Sequence, residues 1–175
     1  SENIPPIIIA AASNNSKILS LLIEKGANVN TILEGENIPL METETKIIKL
    51  TKPTPLLAAV MVGNIENVKI LLKNGANINI LDINYGFTPL MNLCMFKKAK
   101  SEDVLRIAGF LVENGSNIDM QSKDGLTALI VATSEGNIEM VKFLLKNGAN
   151  KDLKDNEGSK AIDYTDNEEI KKLLK

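Results

Sequence analysis

Histidine and tryptophan are absent from this 175-residue chain, cysteine occurs once, and arginine is confined to Arg106. Without an imidazole there is no Ser–His or Cys–His nucleophile pair and no imidazole metal ligand. The single Cys94 rules out an internal disulfide and leaves the redox compartment unread. It stands inside an apolar run, where a buried structural thiol is expected rather than a nucleophile. One arginine and a net charge of −2 give little means of gripping phosphate or base edges, so no nucleic-acid partner is expected. No apolar run approaches the ~20 residues of a membrane span. Phosphate-cradling glycine loops are missing as well. Asp152, Asp155 and Glu157 lack the alternating order of a calcium loop and read as a solvated turn. Catalytic, cofactor and metal sites therefore have no candidate residues, and the chain is read as not an enzyme.

What is present is repetition. In the stretch from Thr54 to Asp82, Thr54 is a good helix N-cap and Pro55 suits the first helical position, where its missing N–H costs nothing. Gly63–Asn64 ends the first apolar run. Ile65, Val68, Leu71 and Leu72 then recur at helical spacing up to Asn74–Gly75, a left-handed stop. Copies of this helix–turn–helix pattern lie at about residues 5–30, 86–119 and 125–152, and a shortened one at 158–175. Gly115 and Gly148 are 33 residues apart, as are Gly125 and Gly158. With 44% hydrophobic and 24% charged residues the composition is that of a folded chain. At this length it buries roughly 70% of its unfolded surface.

A two-helix unit of this period opening on Thr-Pro-Leu resembles the ankyrin repeat. The resemblance covers nearly the whole chain and implies an all-α solenoid of stacked helix pairs with finger hairpins or loops. On that basis residues 1–175 are expected to form a single domain of five repeats, the last a cap. One departure is that no copy has the family's histidine after Thr-Pro-Leu; Leu57, Met91 and Ile130 stand there. Function by resemblance is non-catalytic protein binding, by a monomer, through a concave groove and the fingers. The alternative is an inhibitor or chaperone subunit whose long finger regulates a partner enzyme.

Two insertions interrupt the period. Residues 31–53 fill a junction that takes only eight residues between Asn79 and Thr88. Glu34, Glu36, Glu42 and Glu44 on one arm and Lys46, Lys49 and Lys52 on the other suggest a hairpin with charges paired across it. Ile38, Pro39, Leu40 and Met41 read as an apolar tip, packed either on the array or on a partner. The second insertion, near Lys97, Lys98 and Lys100, suits a lengthened first helix or a longer turn, with Ser101 capping the next helix. At the start, Pro5–Pro6 replaces the hydroxyl cap, and one of Ile7, Ile8 and Ile9 is left without a place in the core. A true N-terminal cap and a cut inside a longer array both stay open. Ser1 in place of Met leaves an upstream segment open too. The compartment is undetermined, a cytoplasmic one slightly favoured over export.

The candidate site follows from the resemblance, which points the two residues before each Gly–Asn turn into the groove. In the middle repeats these are Met61, Val62, Met95 and Phe96, an apolar strip; the outer repeats carry Ala12, Ser13, Ser134 and Glu135. Either a partner covers the strip or the inserted finger folds back over it. Asn84 and Tyr85 on the short finger, and Ile38, Leu40 and Met41 on the long one, complete the expected protein-binding set.

Overall fold

The structure, a computed structural model, describes residues 4–33, 38–43, 46–50, 53–96 and 102–175, with the backbone alone for 38–50 and Glu102. Among these residues nine α-helices run α1 Pro6–Ala11, α2 Ser16–Glu24, α3 Pro55–Met61, α4 Ile65–Lys73, α5 Pro89–Cys94, α6 Glu102–Glu113, α7 Ala128–Ser134, α8 Ile138–Lys146 and α9 Glu168–Leu174. A hairpin, β1 Ile38–Thr43 and β2 Lys46–Leu50, falls between α2 and α3, and a 3-10 turn at Ala161–Tyr164 precedes α9. The chain forms two compact units, Ser1–Ile78 with Asp82–Asn84, and Asn79–Leu81 with Tyr85–Lys175.

In the first unit α3 packs on α1 and α4 on α2. Helices α2, α3 and α4 start where a side chain satisfies free N–H groups. The Thr54 hydroxyl accepts from the Leu57 N–H at 3.3 Å, and the Asn64 side chain from the Asn67 N–H at 3.0 Å. Pro5 offers no side-chain cap, as its sequence implies. Helix α4 ends at Lys73, capped by Asn74, because Gly75 takes φ +85°, a left-handed value that a side chain would oppose. The apolar stripes meet inside: Ile8, Leu19, Leu56, Leu57, Val68 and Leu71 are fully buried. Burying one such side chain stabilises by roughly 1.5–3 kcal/mol. Ile9 is the member of the isoleucine trio left outside.

The long finger is a hairpin, as its sequence suggests, but two details differ. Ile38 pairs with Leu50, Met41 with Ile48 and Thr43 with Lys46, so the residues read as an apolar tip instead run along β1. The register also changes between Pro39 and Met41, which sets Lys49 opposite Pro39 and Glu42 opposite Ile47. No Glu therefore stands directly across from a Lys among the paired residues, because a one-residue slip reassigns every partner. Glu34, Glu36, Glu44 and Lys52 lie outside the described residues.

In the second unit α7 packs on α5 and on the 3-10 turn, and α8 on α9. Thr88 and Thr127 repeat the hydroxyl cap, accepting from Met91 and Ile130 N–H groups at 3.2 Å each. Helix α5 is not lengthened. It stops at Cys94, where the N–H groups of Met95 and Phe96 fold back onto the carbonyls of Asn92 and Leu93, a tightened last turn. Residues 97–101, with the inserted lysines and Ser101, lie outside the described residues. The C-terminal repeat places Ile170 and Leu174 inward and its charges outward, the form expected of a cap.

Candidate interaction surface

The expected site residues divide between the two units. Met61 and Val62 close α3 in the first unit, both half-buried. Met95, at the end of α5 in the second, is 40% exposed, and Phe96 beside it is half-buried. The Phe96 carbonyl accepts from the Asn137 side-chain amide at 3.2 Å, which fixes the end of α5 against the start of α8. On the short finger Tyr85 is 57% exposed, with its ring 5.4 Å from that of Phe87, whose side chain is buried and anchors it. Leu81, Ile83 and Tyr85 alternate along this turn and are all exposed. Asn84 is exposed as well. Ile38, Leu40 and Met41 are placed on β1 by their backbone.

Several functional-looking details escape a reading of the sequence. Asn30 accepts from the Asn77 N–H at 2.8 Å and donates to the Gly75 carbonyl at 3.0 Å, so one finger holds the next. In the second unit Asn79 accepts from the Asn117 N–H and Asp119 from the Asn150 N–H, both at 2.9 Å. The signal was the recurrence of Asn or Asp at residues 30, 79, 119 and 152, one per period. At the helix ends the side-chain amide of Asn67 donates to the carbonyls of Ala10, Ala11 and Ser13 at 2.9–3.2 Å. Its own oxygen is buried without a hydrogen-bond partner.

In the last finger Asp152 and Glu157 are exposed, as expected of a solvated turn, but Asp155 is not. Asp155 is only 7% exposed. Its carboxylate accepts from the N–H groups of Glu157 and Ser159 at 2.9 Å and from the Tyr164 hydroxyl. The Tyr164 hydrogen bond, followed by the backbone donors, holds the carboxyl below its ordinary value, and the phenol is pushed up to about 12 by the same bond. Asp152 meets Lys160 at 2.7 Å. These are structural ties, since each polar group is engaged by its own repeat.

Among the described residues the single thiol is not placed as a reacting group. Cys94 is fully buried and donates to the Leu90 carbonyl, and desolvation drives its thiol far above the ordinary range, away from the nucleophilic form. Among the described residues no group of three or more His, Cys, Asp or Glu side chains could hold a metal ion, and no helix is long and apolar enough to cross a membrane. An open trough of about 460 Å³ between α2 and α4 has Leu21 and Ile70 with Ser16, Lys17, Ser20, Glu24 and Glu66 along its walls.

The stacked helix pairs, their shared caps and their finger-to-finger bonds define a helix–turn–helix repeat protein. Family models for ankyrin repeats match residues 3–32, 32–107 and 95–174, and the chain belongs to the ankyrin repeat family. It is similar to the fowlpox virus (strain NVSL) ankyrin repeat protein FPV031, with 28% identity over 135 residues, 76% of this chain and 34% of that protein. It is also 32% identical over 83 residues to the ankyrin repeat, SAM and basic leucine zipper domain-containing protein 1 of Notamacropus eugenii, 47% of this chain and 17% of that one. The chain thus spans about a third of the length of the first relative and about a sixth of the second. Ankyrin repeats are generally protein–protein interaction modules, typically without catalysis.

Proposed function

We propose that this chain is a non-catalytic binding module that holds a partner protein through the ends of its first helices and its finger turns. The observation that supports this is the exposure of large apolar side chains at Met95, Tyr85 and Leu81, where the equivalents of Met95 and Phe96 in the following repeat are Ser134 and Glu135. A rigid tyrosine, its ring tilted against that of the buried Phe87, and an adaptable methionine are side chains that serve as anchors when a partner removes water from them. Met61 and Val62 occupy the same place at the end of α3 and are assigned the same role. The exposed apolar side chains favour a partner protein with an apolar patch.

The test is capture from a lysate with the whole chain, identification of the stoichiometric partner, and calorimetry with purified variants. Met95→Ala and Tyr85→Ala should each weaken binding by roughly 1–2 kcal/mol, the scale of centrally placed anchors. Ser134→Ala should leave it unchanged. Full affinity in the Met95→Ala, Tyr85→Ala and Met61→Ala variants would refute this assignment, and deletion of Glu36–Lys49 would then test the long finger.

A further inference from the structure

Asparagine precedes glycine at three places, Asn74–Gly75, Asn114–Gly115 and Asn147–Gly148, and each pair follows directly on the second helix of a repeat. The glycine is there for its backbone. At Gly75, Gly115 and Gly148 φ is +85°, +93° and +87°, the left-handed turn that stops the helix. The same residue, having no Cβ, leaves its nitrogen open to the side chain before it. The pair that caps these helices is therefore also the one in which asparagine loses ammonia most readily. In that reaction the glycine nitrogen bonds to the asparagine Cγ. The side-chain NH₂ takes up the glycine N–H proton and leaves as ammonia, and a cyclic imide remains. Water then opens the ring on either side, giving aspartate or its isomer with the backbone running through the side-chain carbonyl.

The fold holds all three pairs off that path in the same way. The side-chain amides of Asn74, Asn114 and Asn147 donate to the carbonyls of Ile70, Phe110 and Phe143 at 2.7–2.8 Å. The attacking nitrogens are engaged as well. The N–H groups of Gly75, Gly115 and Gly148 donate to the carbonyls of Leu72, Val112 and Leu145 at 3.1 Å each. At Asn74 and Asn147 ψ is +18° and +14°, which turns the following nitrogen away from the residue's own Cβ. Ring closure needs the two on one side of the Cα–C bond. All three asparagines are exposed, so water and base reach them as soon as the turn opens.

The product does not suit the place of the reactant. A carboxylate there turns an acceptor toward an acceptor, at the helix end where free carbonyls already gather negative charge. Lys73 and Lys146 precede Asn74 and Asn147, but Glu113 precedes Asn114, so the added charge is least compensated at Asn114.

We propose that Asn74, Asn114 and Asn147 are deamidation sites gated by the fold. Each reacts only when its helix end opens, and each conversion loosens the cap it came from. Asn114 and Asn147 share the second unit, so reaction at one makes the other open more often. The chain thereby keeps a covalent record of how often its repeats open.

To test this, the intact chain is kept in mildly alkaline buffer, either folded or unfolded in urea. Its peptides are then weighed by mass spectrometry for the exchange of NH₂ for OH. Deamidation at all three sites is expected to be roughly tenfold slower or more in the folded protein. Equal rates in the two conditions overturn the gate. Asn114→Asp and Asn114→Ala both lose the side-chain hydrogen bond, and only the first adds the charge. At about pH 7 the Asp variant should have the lower urea midpoint, and near pH 3, with the carboxyl protonated, the gap should shrink. Asn147 should also deamidate severalfold faster in folded Asn114→Asp than in folded Asn114→Ala. Equal midpoints at about pH 7, or equal Asn147 rates, overturn the claim that the product loosens its unit.

Discussion

Replacing Gly125 and Gly148 separately by alanine divides the cost of a left-handed backbone from the cost of a close repeat-to-repeat approach. Both glycines lie in the second unit, so the same unfolding transition reports both. Both hold positive φ, +80° and +87°. At Gly148 an added Cβ meets nothing within 4 Å, leaving only the conformational penalty of about 1–2 kcal/mol. The smaller unfolded-state entropy of alanine offsets roughly 0.4–1 kcal/mol of it, for a net loss of about 1 kcal/mol. At Gly125 the same Cβ would stand 2.7 Å from the backbone nitrogen of Asn156 and 2.9 Å from the Asp155 Cα, where backbone must move. That movement breaks the Asn156 N–H bond to the Asp124 carbonyl and the Asn156 amide bond to the Lys123 carbonyl, both 3.0 Å. At about 0.5–1.5 kcal/mol each, the Gly125→Ala loss rises to about 2–4 kcal/mol. Urea unfolding followed by circular dichroism measures both, and an unchanged slope licenses the comparison. Equal midpoints for the two variants would refute the reasoning, because the finger contact would then contribute nothing.

Other outcomes are expected of the same chain. Native Cys94 should react slowly with a thiol reagent and speed up on unfolding; immediate stoichiometric labelling of the folded protein would contradict its burial. Asn67→Ala should cost about 1–3 kcal/mol in thermal or urea unfolding, since the amide joins three carbonyls of the preceding repeat, and a cost near zero would mean that its unpartnered oxygen cancels the gain. The Asp155–Tyr164 bond stabilises the fold only while the carboxyl is ionised and the phenol neutral. With the folded carboxyl lowered, its contribution is complete above the ordinary Asp value near 4 and is lost as pH falls through the folded one; with the phenol raised to about 12, that contribution is complete below about 10 and is lost between 10 and 12. The stability difference between wild type and Tyr164→Phe should therefore be flat from about pH 5 to 9 and shrink at both ends, and a slope across that middle range would argue against the bond.

The helices were legible because their determinants are local. Thr54, Thr88 and Thr127 sit one residue ahead of α3, α5 and α7, Asn15, Asn64 and Asn137 ahead of α2, α4 and α8, and the apolar stripes keep a 3.6-residue period. The burial of Cys94 followed from its place in such a stripe. Details that depend on how the turns fold back on themselves were not legible. Asp155 reads as a solvated acid until Tyr164 and two N–H groups are brought to it. Pairing in the long finger turned on a one-residue irregularity near Leu40, which no charge pattern encodes. Nor does sequence position alone separate Ile9, left outside, from Ile8, one residue away in the core.

The root of the long finger bears on how such a chain can change. Asn30 reaches Asn77 across 47 residues and Asp119 reaches Asn150 across 31, yet the two bonds have nearly the same length. The extra chain leaves and returns at one point, where the Leu33 N–H meets the Pro53 carbonyl at 3.4 Å. Closure entropy rises only logarithmically with loop length, about 0.6 kcal/mol per doubling, so segments of very different length can be exchanged beyond that neck at little cost to the joint beneath. The neck is thus a port: new contact surface can be tried there while the helices that carry it stay as they are.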